Sequence, residues 1–163
     1  MKVMANNNVF KILALMVVSV FLASCTDRPT DLMFTDFFVS VSDEKGGETS
    51  RVSSSSNNYV VTYYFNLVSE EIKEPLTVYF DVEVGDGLKV GTDLEFQTES
   101  RSVTFNPGIY KRPFRINYLK HAVDPEKDNT IRIVIKETSD PSIHIGYPGP
   151  SAKFSKHVIT KHN

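Results

Sequence analysis

Tryptophan is absent from the 163 residues, and cysteine occurs once, at Cys25. A single cysteine excludes an internal disulfide and a cysteine-based zinc site. No acidic residue precedes Asp27, and no stretch is apolar over the roughly 20 residues that a membrane-spanning helix needs. Also missing are a Gly-x-Ser-x-Gly elbow, a Walker phosphate loop and a dinucleotide fingerprint. Charge of one sign is not in excess either, with 18 Lys and Arg against 20 Asp and Glu. That balance provides no counterion-release drive toward nucleic acid and no basic patch for anionic lipid. What the chain does have is seven Tyr, eleven Phe and many β-branched residues, a composition that suits strands better than helices.

The first 24 residues read as a targeting segment. Lys2 and Lys11 give a positive start, and Ile12 to Leu22 is apolar except for Ser19. The run Leu22-Ala23-Ser24-Cys25 that ends it resembles the bacterial lipobox. This resemblance implies cleavage before Cys25, a thioether from its thiol to diacylglycerol, and acylation of its new amine. Two or more acyl chains hold a protein stably at a membrane, at about 0.8 kcal/mol per buried methylene. Thr26 stands where an Asp would favour inner-membrane retention, so the same resemblance implies the outer membrane. It leaves open which face. Residues 25–31, with Pro29, read as a polar lipidated tether, and 32–163 as one domain.

Period-two patterning runs through that domain. Strands are expected over Phe34 to Ser42, Tyr59 to Val68, Leu76 to Val84, Arg101 to Asn106, Lys111 to Leu119, around Ile131 to Ile135, and over Phe154 to Thr160. Leu76, Val78, Phe80, Val82 and Val84 share one face, and Gly85-Asp86-Gly87 ends the run. Pro113 suggests an edge or a bulge. Asp43 to Asn58, rich in Gly, Ser and charge, reads as a loop. The expected fold is all-β, an immunoglobulin-like antiparallel β-sandwich of about seven strands.

From Leu76 onward the signals fall in a recognisable order. Gly91-Thr92-Asp93 is followed by Val103-Thr104-Phe105-Asn106-Pro107-Gly108, an alternating strand, an acidic turn, Ile131 to Ile135, Ile143-His144-Ile145-Gly146 and a final strand. This order resembles Calx-beta-type domains, immunoglobulin-like sandwiches of secreted and surface proteins. The layout is also similar to small lipoproteins of anaerobic Gram-negative bacteria, often encoded near glycan-uptake systems. Two positions depart from the Calx-beta pattern. Leu94 stands where an aromatic usually follows the Asp, and Lys161 follows the last strand in place of the acidic ending.

Chemistry-bearing residues are few. Asp124, Glu126 and Asp128 alternate as at the start of a calcium loop. Counted from Asp124, however, Asn129 and Ile135 stand where an EF-hand loop wants Gly and Glu, and Lys127 adds a positive charge. They are weak metal candidates, and no metal or other cofactor is expected. His121, His144, His157 and His162 read as surface residues. Tyr64 and Tyr79 fall on the polar phase of their strands, and Tyr110 and Tyr147 sit beside Gly-Pro turns. Exposed tyrosines stack on sugars or dock a protein partner. The expected function is a non-enzymatic, membrane-anchored binding or assembly module. The alternatives are a carbohydrate-binding accessory of a glycan-uptake system and a small glycan hydrolase.

Overall fold

The computed structural model describes residues 36–54 and 57–163. The targeting segment, Cys25, the tether and the start of the expected first strand lie outside the described residues. Among the described residues, ten strands form two five-stranded sheets. They are β1 (Phe38–Ser42), β2 (Thr49–Ser53), β3 (Tyr59–Val68), β4 (Leu76–Val84), β5 (Leu94–Phe96), β6 (Ser102–Phe105), β7 (Lys111–Tyr118), β8 (Thr130–Thr138), β9 (His144–Ile145) and β10 (Lys156–His162). One sheet has the order β5-β7-β3-β1-β9 and the other β2-β10-β8-β4-β6. The fold is an all-β sandwich, as the alternation predicts. No helix among the described residues is long and apolar enough to cross a membrane.

The core lies between the sheets and is built from the alternating positions. β3 contributes Tyr63, Phe65 and Leu67, β4 Leu76, Val78 and Phe80, and β8 Ile131, Ile133 and Ile135. Burying each such side chain stabilises the fold by about 1.5–3 kcal/mol. Aromatic rings meet at the centre, where Phe80 packs between Phe65 at 4.7 Å and Phe114 at 5.0 Å. The register between β4 and β8 shifts at Tyr79/Phe80. Lys136 and Glu137 therefore both face water before Thr138 turns inward again. Pro113 pairs with Tyr64 of β3, and on its other side β5 reaches only Ile116, so no ladder hydrogen bond is lost there.

Three expectations change. The segment from Asp43 to Asn58 is not all loop, because Thr49–Ser53 pairs in parallel with β10. Its sequence is polar and only Val52 enters the core, so the pattern carries no strand signal. The sandwich is not wholly antiparallel: β1 also runs parallel to the two-residue β9. And His157 is not at the surface; it is fully buried.

Candidate functional site

The chain leaves the first sheet after Ser42 and joins the second at Thr49, and this crossing makes one rim of a groove. The turn is held by Asp43, whose Oδ1 accepts hydrogen bonds from the Lys45 and Gly47 N–H groups at 2.9 and 2.7 Å. Gly46 supplies the left-handed backbone at φ 79°. Inside the sandwich, His157 fixes the far side of the crossing. Its Nδ1 donates to the Gly47 carbonyl at 2.9 Å, which leaves Nε2 to accept from the Ser50 hydroxyl at 2.9 Å. Tyr63 packs 5.1 Å from the imidazole and shares a hydrogen bond with Tyr118 at 2.9 Å, and burial pushes its phenol up to about 12.

Burial likewise holds the His157 imidazole below its ordinary value of 6.5, against the opposing pull of Gly47, Asp43 and Glu48. An unfolded chain takes a proton there near pH 6.5 and the folded one takes it only at lower pH. Stability from this group is therefore complete above pH 6.5 and is lost as pH falls below it, by at most about 1.4 kcal/mol per pH unit. Denaturant unfolding at pH 7.5 and 5.5, with an NMR titration of the imidazole, checks this. An imidazole that titrates at or above 6.5 contradicts it.

The floor of the groove is the outer face of β1 and β3. Ser40 pairs with Asn66, and Ser42 with Tyr64, across the antiparallel ladder. The Asn66 side-chain amide donates to the Ser42 hydroxyl at 3.1 Å and to the Tyr64 carbonyl at 3.3 Å. Lys111, opposite Asn66 on β7, lays its ammonium 3.8 Å from the centre of the Tyr64 ring. Ser40 and Ser42 are only 5% and 7% exposed although they face away from the core.

What covers them is the segment from Gly146 to Phe154, which folds back over β1. Gly146 has φ 76°, and a Cβ there would stand 2.5 Å from the Ala152 carbonyl oxygen. The Tyr147 N–H donates to the Lys153 carbonyl at 2.7 Å. Ala152 and Phe154 have φ 40° and 62°, the two non-glycine residues at positive φ among those described. A phenylalanine in that region stores strain of about 1–3 kcal/mol. Here Glu48 Oε1 accepts its N–H at 2.6 Å, and its carbonyl accepts from Val41 N at 2.9 Å. The Phe154 ring packs 4.7 Å from Tyr147, which meets Phe38 edge-on at 4.8 Å. The result is a cleft of about 270 Å³, with a hydroxyl-and-amide floor, an aromatic wall at Tyr147 and Phe154, and the Asp43–Gly46 turn opposite.

A larger cleft, about 490 Å³, lies between the loops at Ile72 to Leu76 and Ser139 to Ile143. It carries no aromatic wall, and the one carboxylate oxygen of Asp140 that is engaged serves its own turn through the Ser142 N–H and hydroxyl. The smaller groove is the stronger site, because buried polar floor, aromatic wall and strained backbone coincide there.

The four tyrosines singled out from the sequence do not form one face. Tyr64 and Tyr79 sit on opposite sheets, and Tyr64 is half-buried beneath Lys111 while Tyr79 is exposed. Tyr147 walls the groove. Tyr110 does not line it; its carbonyl accepts from Leu67 N at 2.9 Å, which sets Tyr110 opposite a core-facing residue. The groove residues that patterning missed are Ser40, Ser42 and Asn66, polar positions that read as solvated until a distant segment covers them.

The acidic turn is knit to itself. Asp124 Oδ1 accepts the Glu126 N–H at 3.0 Å, and Asp128 accepts from the Thr130 N–H and hydroxyl and from Arg132. The Thr130 hydroxyl, more than any other neighbour, holds the Asp128 carboxyl below its usual range. Among the described residues no group of three His, Cys, Asp or Glu is placed to hold a metal ion. Nearby, Asp93 binds Lys161 and His121 at 3.0 and 2.8 Å, and Lys161 is fully buried.

No protein-family model matches the sequence, and comparison with curated proteins returned no match. Solved structures do match. A protein of unknown function from Bacteroides ovatus is 10% identical over 76% of this chain, with a TM-score of 0.52. EndoBT-3987 of Bacteroides thetaiotamicron, solved with a Man5GlcNAc product, is 13% identical over 74%, with a TM-score of 0.51. The apo-form Calx CBD1 domain is 20% identical over 77%, with a TM-score of 0.48. This chain spans 99% of that Calx domain but 46% of the Bacteroides ovatus protein and 30% of EndoBT-3987. At these identities the likeness is one of fold, a β-sandwich that also occurs inside longer chains.

Proposed function

We propose that the chain is a non-enzymatic binding module, held at the outer membrane by lipid on Cys25, that takes a glycan in the groove beneath Tyr147. The observation that carries the ligand is the Tyr147–Phe154 wall set over the floor of Ser40, Ser42 and Asn66. A sugar ring has an apolar C–H face and an edge of hydroxyls, and this cleft offers an aromatic face and hydrogen-bonding groups to match. Binding rather than turnover fits the acids nearby. A glycosidase needs two carboxylates flanking one sugar, and the acids that line this groove, Asp43 and Glu44, are chain neighbours on a single rim turn.

Screening the full chain in detergent against a glycan array tests the ligand. Tyr147→Ala is expected to weaken whatever sugar binds by about tenfold or more, with the fold unchanged by circular dichroism. Binding that ignores Tyr147→Ala places the site elsewhere. The anchor is tested separately. Cys25→Ala is expected to lose labelled palmitate and to leave the membrane fraction, and persistent lipid labelling of that variant removes the assignment.

A further inference from the structure

The class of sugar follows from the charges in the groove, and rests on the glycan reading above. Three charged side chains line the cleft: Asp43, Glu44 and Lys111. The two acids share the turn that follows β1, whereas Lys111 opens β7. Ser40 pairs with Asn66 and Asn66 with Lys111, so Lys111 borders the floor two strand spacings, about 10 Å, from β1. The groove is therefore polarised, with its cation and its acids on different borders. That cation is not neutralised. Among the described residues no carboxylate pairs with Lys111, whose ammonium rests on the Tyr64 ring at 3.8 Å. A ring face holds an ammonium in place but has no net charge to cancel it. Lys136 and Lys161, by contrast, each meet a carboxylate, at 3.1 and 3.0 Å. The floor beside Lys111 is also incompletely bonded. The Asn66 amide donates to Ser42 and to the Tyr64 carbonyl, but its Oδ1 accepts nothing from the described residues. The Ser42 hydroxyl accepts that bond and keeps its own proton to donate.

We infer that the groove takes a sugar carrying one negative charge, a hexuronic acid or a sulfated hexose, with its anionic group on Lys111. A neutral sugar leaves the ammonium as it is. An anionic one, turned with its charge toward Lys111 and away from Asp43 and Glu44, gains a charge-assisted hydrogen bond in one orientation only. The cleft of about 270 Å³ falls just under the range of about 300–1,000 Å³ typical of small-molecule sites, so it encloses one ring and its substituents. A ring stacked on Tyr147 and Phe154 over β1 then lays its hydroxyls on Ser42 and Asn66 and its acidic group toward β7. A phosphate monoester, with nearly two charges, would face two acids with a single cation. An amino sugar would depend on Glu44, a side chain on an exposed turn, whereas Tyr64 already places Lys111.

The test is calorimetry on the full chain in detergent, with the methyl glycosides of glucose and galactose, the matching glucuronate and galacturonate, and the two hexose 6-sulfates. The best anionic sugar is expected to bind at least about fivefold tighter than its neutral parent at low salt, and its lead to shrink in about 0.5 M salt. Which of the carboxylates and sulfates leads identifies the anionic group. In Lys111→Met, with the fold unchanged by circular dichroism, the ratio of anionic to neutral affinity is expected to fall to about one, and Lys111→Arg is expected to keep the preference. Tyr147→Ala is expected to weaken the anionic sugar as well, which ties the charge to the groove. Equal affinity for charged and neutral sugars, or a preference that survives Lys111→Met, overturns the acidic-sugar inference and leaves the groove as a glycan site. Binding of no sugar, charged or neutral, overturns the glycan reading and this inference together.

Discussion

Lys161→Met is expected to lower the unfolding free energy by about 3–5 kcal/mol, the usual cost of removing one partner from a buried ion pair. The Lys161 side chain is wholly buried, and its three ammonium protons are each used, on Asp93 Oδ1 at 3.0 Å, the Asp93 carbonyl at 3.1 Å and the Leu119 carbonyl at 3.0 Å. Those bonds join three stretches of chain: the turn before β5, the end of β7 and the last strand. Met matches the stem but donates nothing, so two carbonyls lose a donor and a buried carboxylate loses its cation. Asp93 keeps its other bonds, from His121 at 2.8 Å and from the Lys89 N–H at 2.9 Å. Although burial alone would raise the Asp93 carboxyl, His121, the Lys89 N–H and Lys161 together hold it below 3.8. Its contribution is present above pH 3.8 and is lost as pH falls through the lowered value. Calorimetry should show a fall in Tm of about 10 °C or more. Adding Asp93→Asn should cost much less than Asp93→Asn does alone, the sign of direct coupling. A loss below about 1 kcal/mol in the single variant would mean that water replaces the ammonium.

That pair also shows where sequence patterning reaches its limit. His157, Ile159 and Lys161 occupy one phase of β10, and all three are buried. The period-two signal was present, but residue type argued against it, because lysine and histidine are read as surface residues unless partners are known. Those partners, Asp93 and the Gly47 carbonyl, lie 68 and 110 residues away in the chain. Patterning found β1, β3, β4, β6, β7, β8 and β10, and of these β3, β4 and β8 carry three or more apolar residues in strict alternation. The three it missed, β2, β5 and β9, are short or polar and are held by their neighbours. The groove was legible only in Tyr147. Ser40 and Ser42 alternate with Val39 and Val41 as on any half-solvated strand, and nothing local reveals that Gly146 to Phe154 returns to cover them.

Gly85→Ala is expected to destabilise the fold by about 3 kcal/mol, whereas Gly91→Ala costs only about 1 kcal/mol. The contrast separates two reasons for a glycine. Gly91 sits at φ 85° with nothing within 4 Å of where a Cβ would stand, so alanine there meets only the left-handed backbone penalty. Gly85 is not at positive φ, but a Cβ would stand 2.1 Å from the Asp128 carbonyl oxygen and 2.7 Å from the Asp128 Cγ. The chain cannot move aside there. Gly85 N donates to the Thr130 carbonyl at 2.8 Å, and Gly87 N to the Asp128 carbonyl at 3.0 Å, so both sides of the approach are pinned. Relief must come from displacing Asp128, whose N–H donates to Asp86 Oδ1 and whose carboxylate accepts from Thr130 and Arg132. The measurement is denaturant unfolding of both variants, read at constant m-value. Equal losses at Gly85 and Gly91 would show that the turn before β8 yields freely and that backbone conformation alone sets the cost.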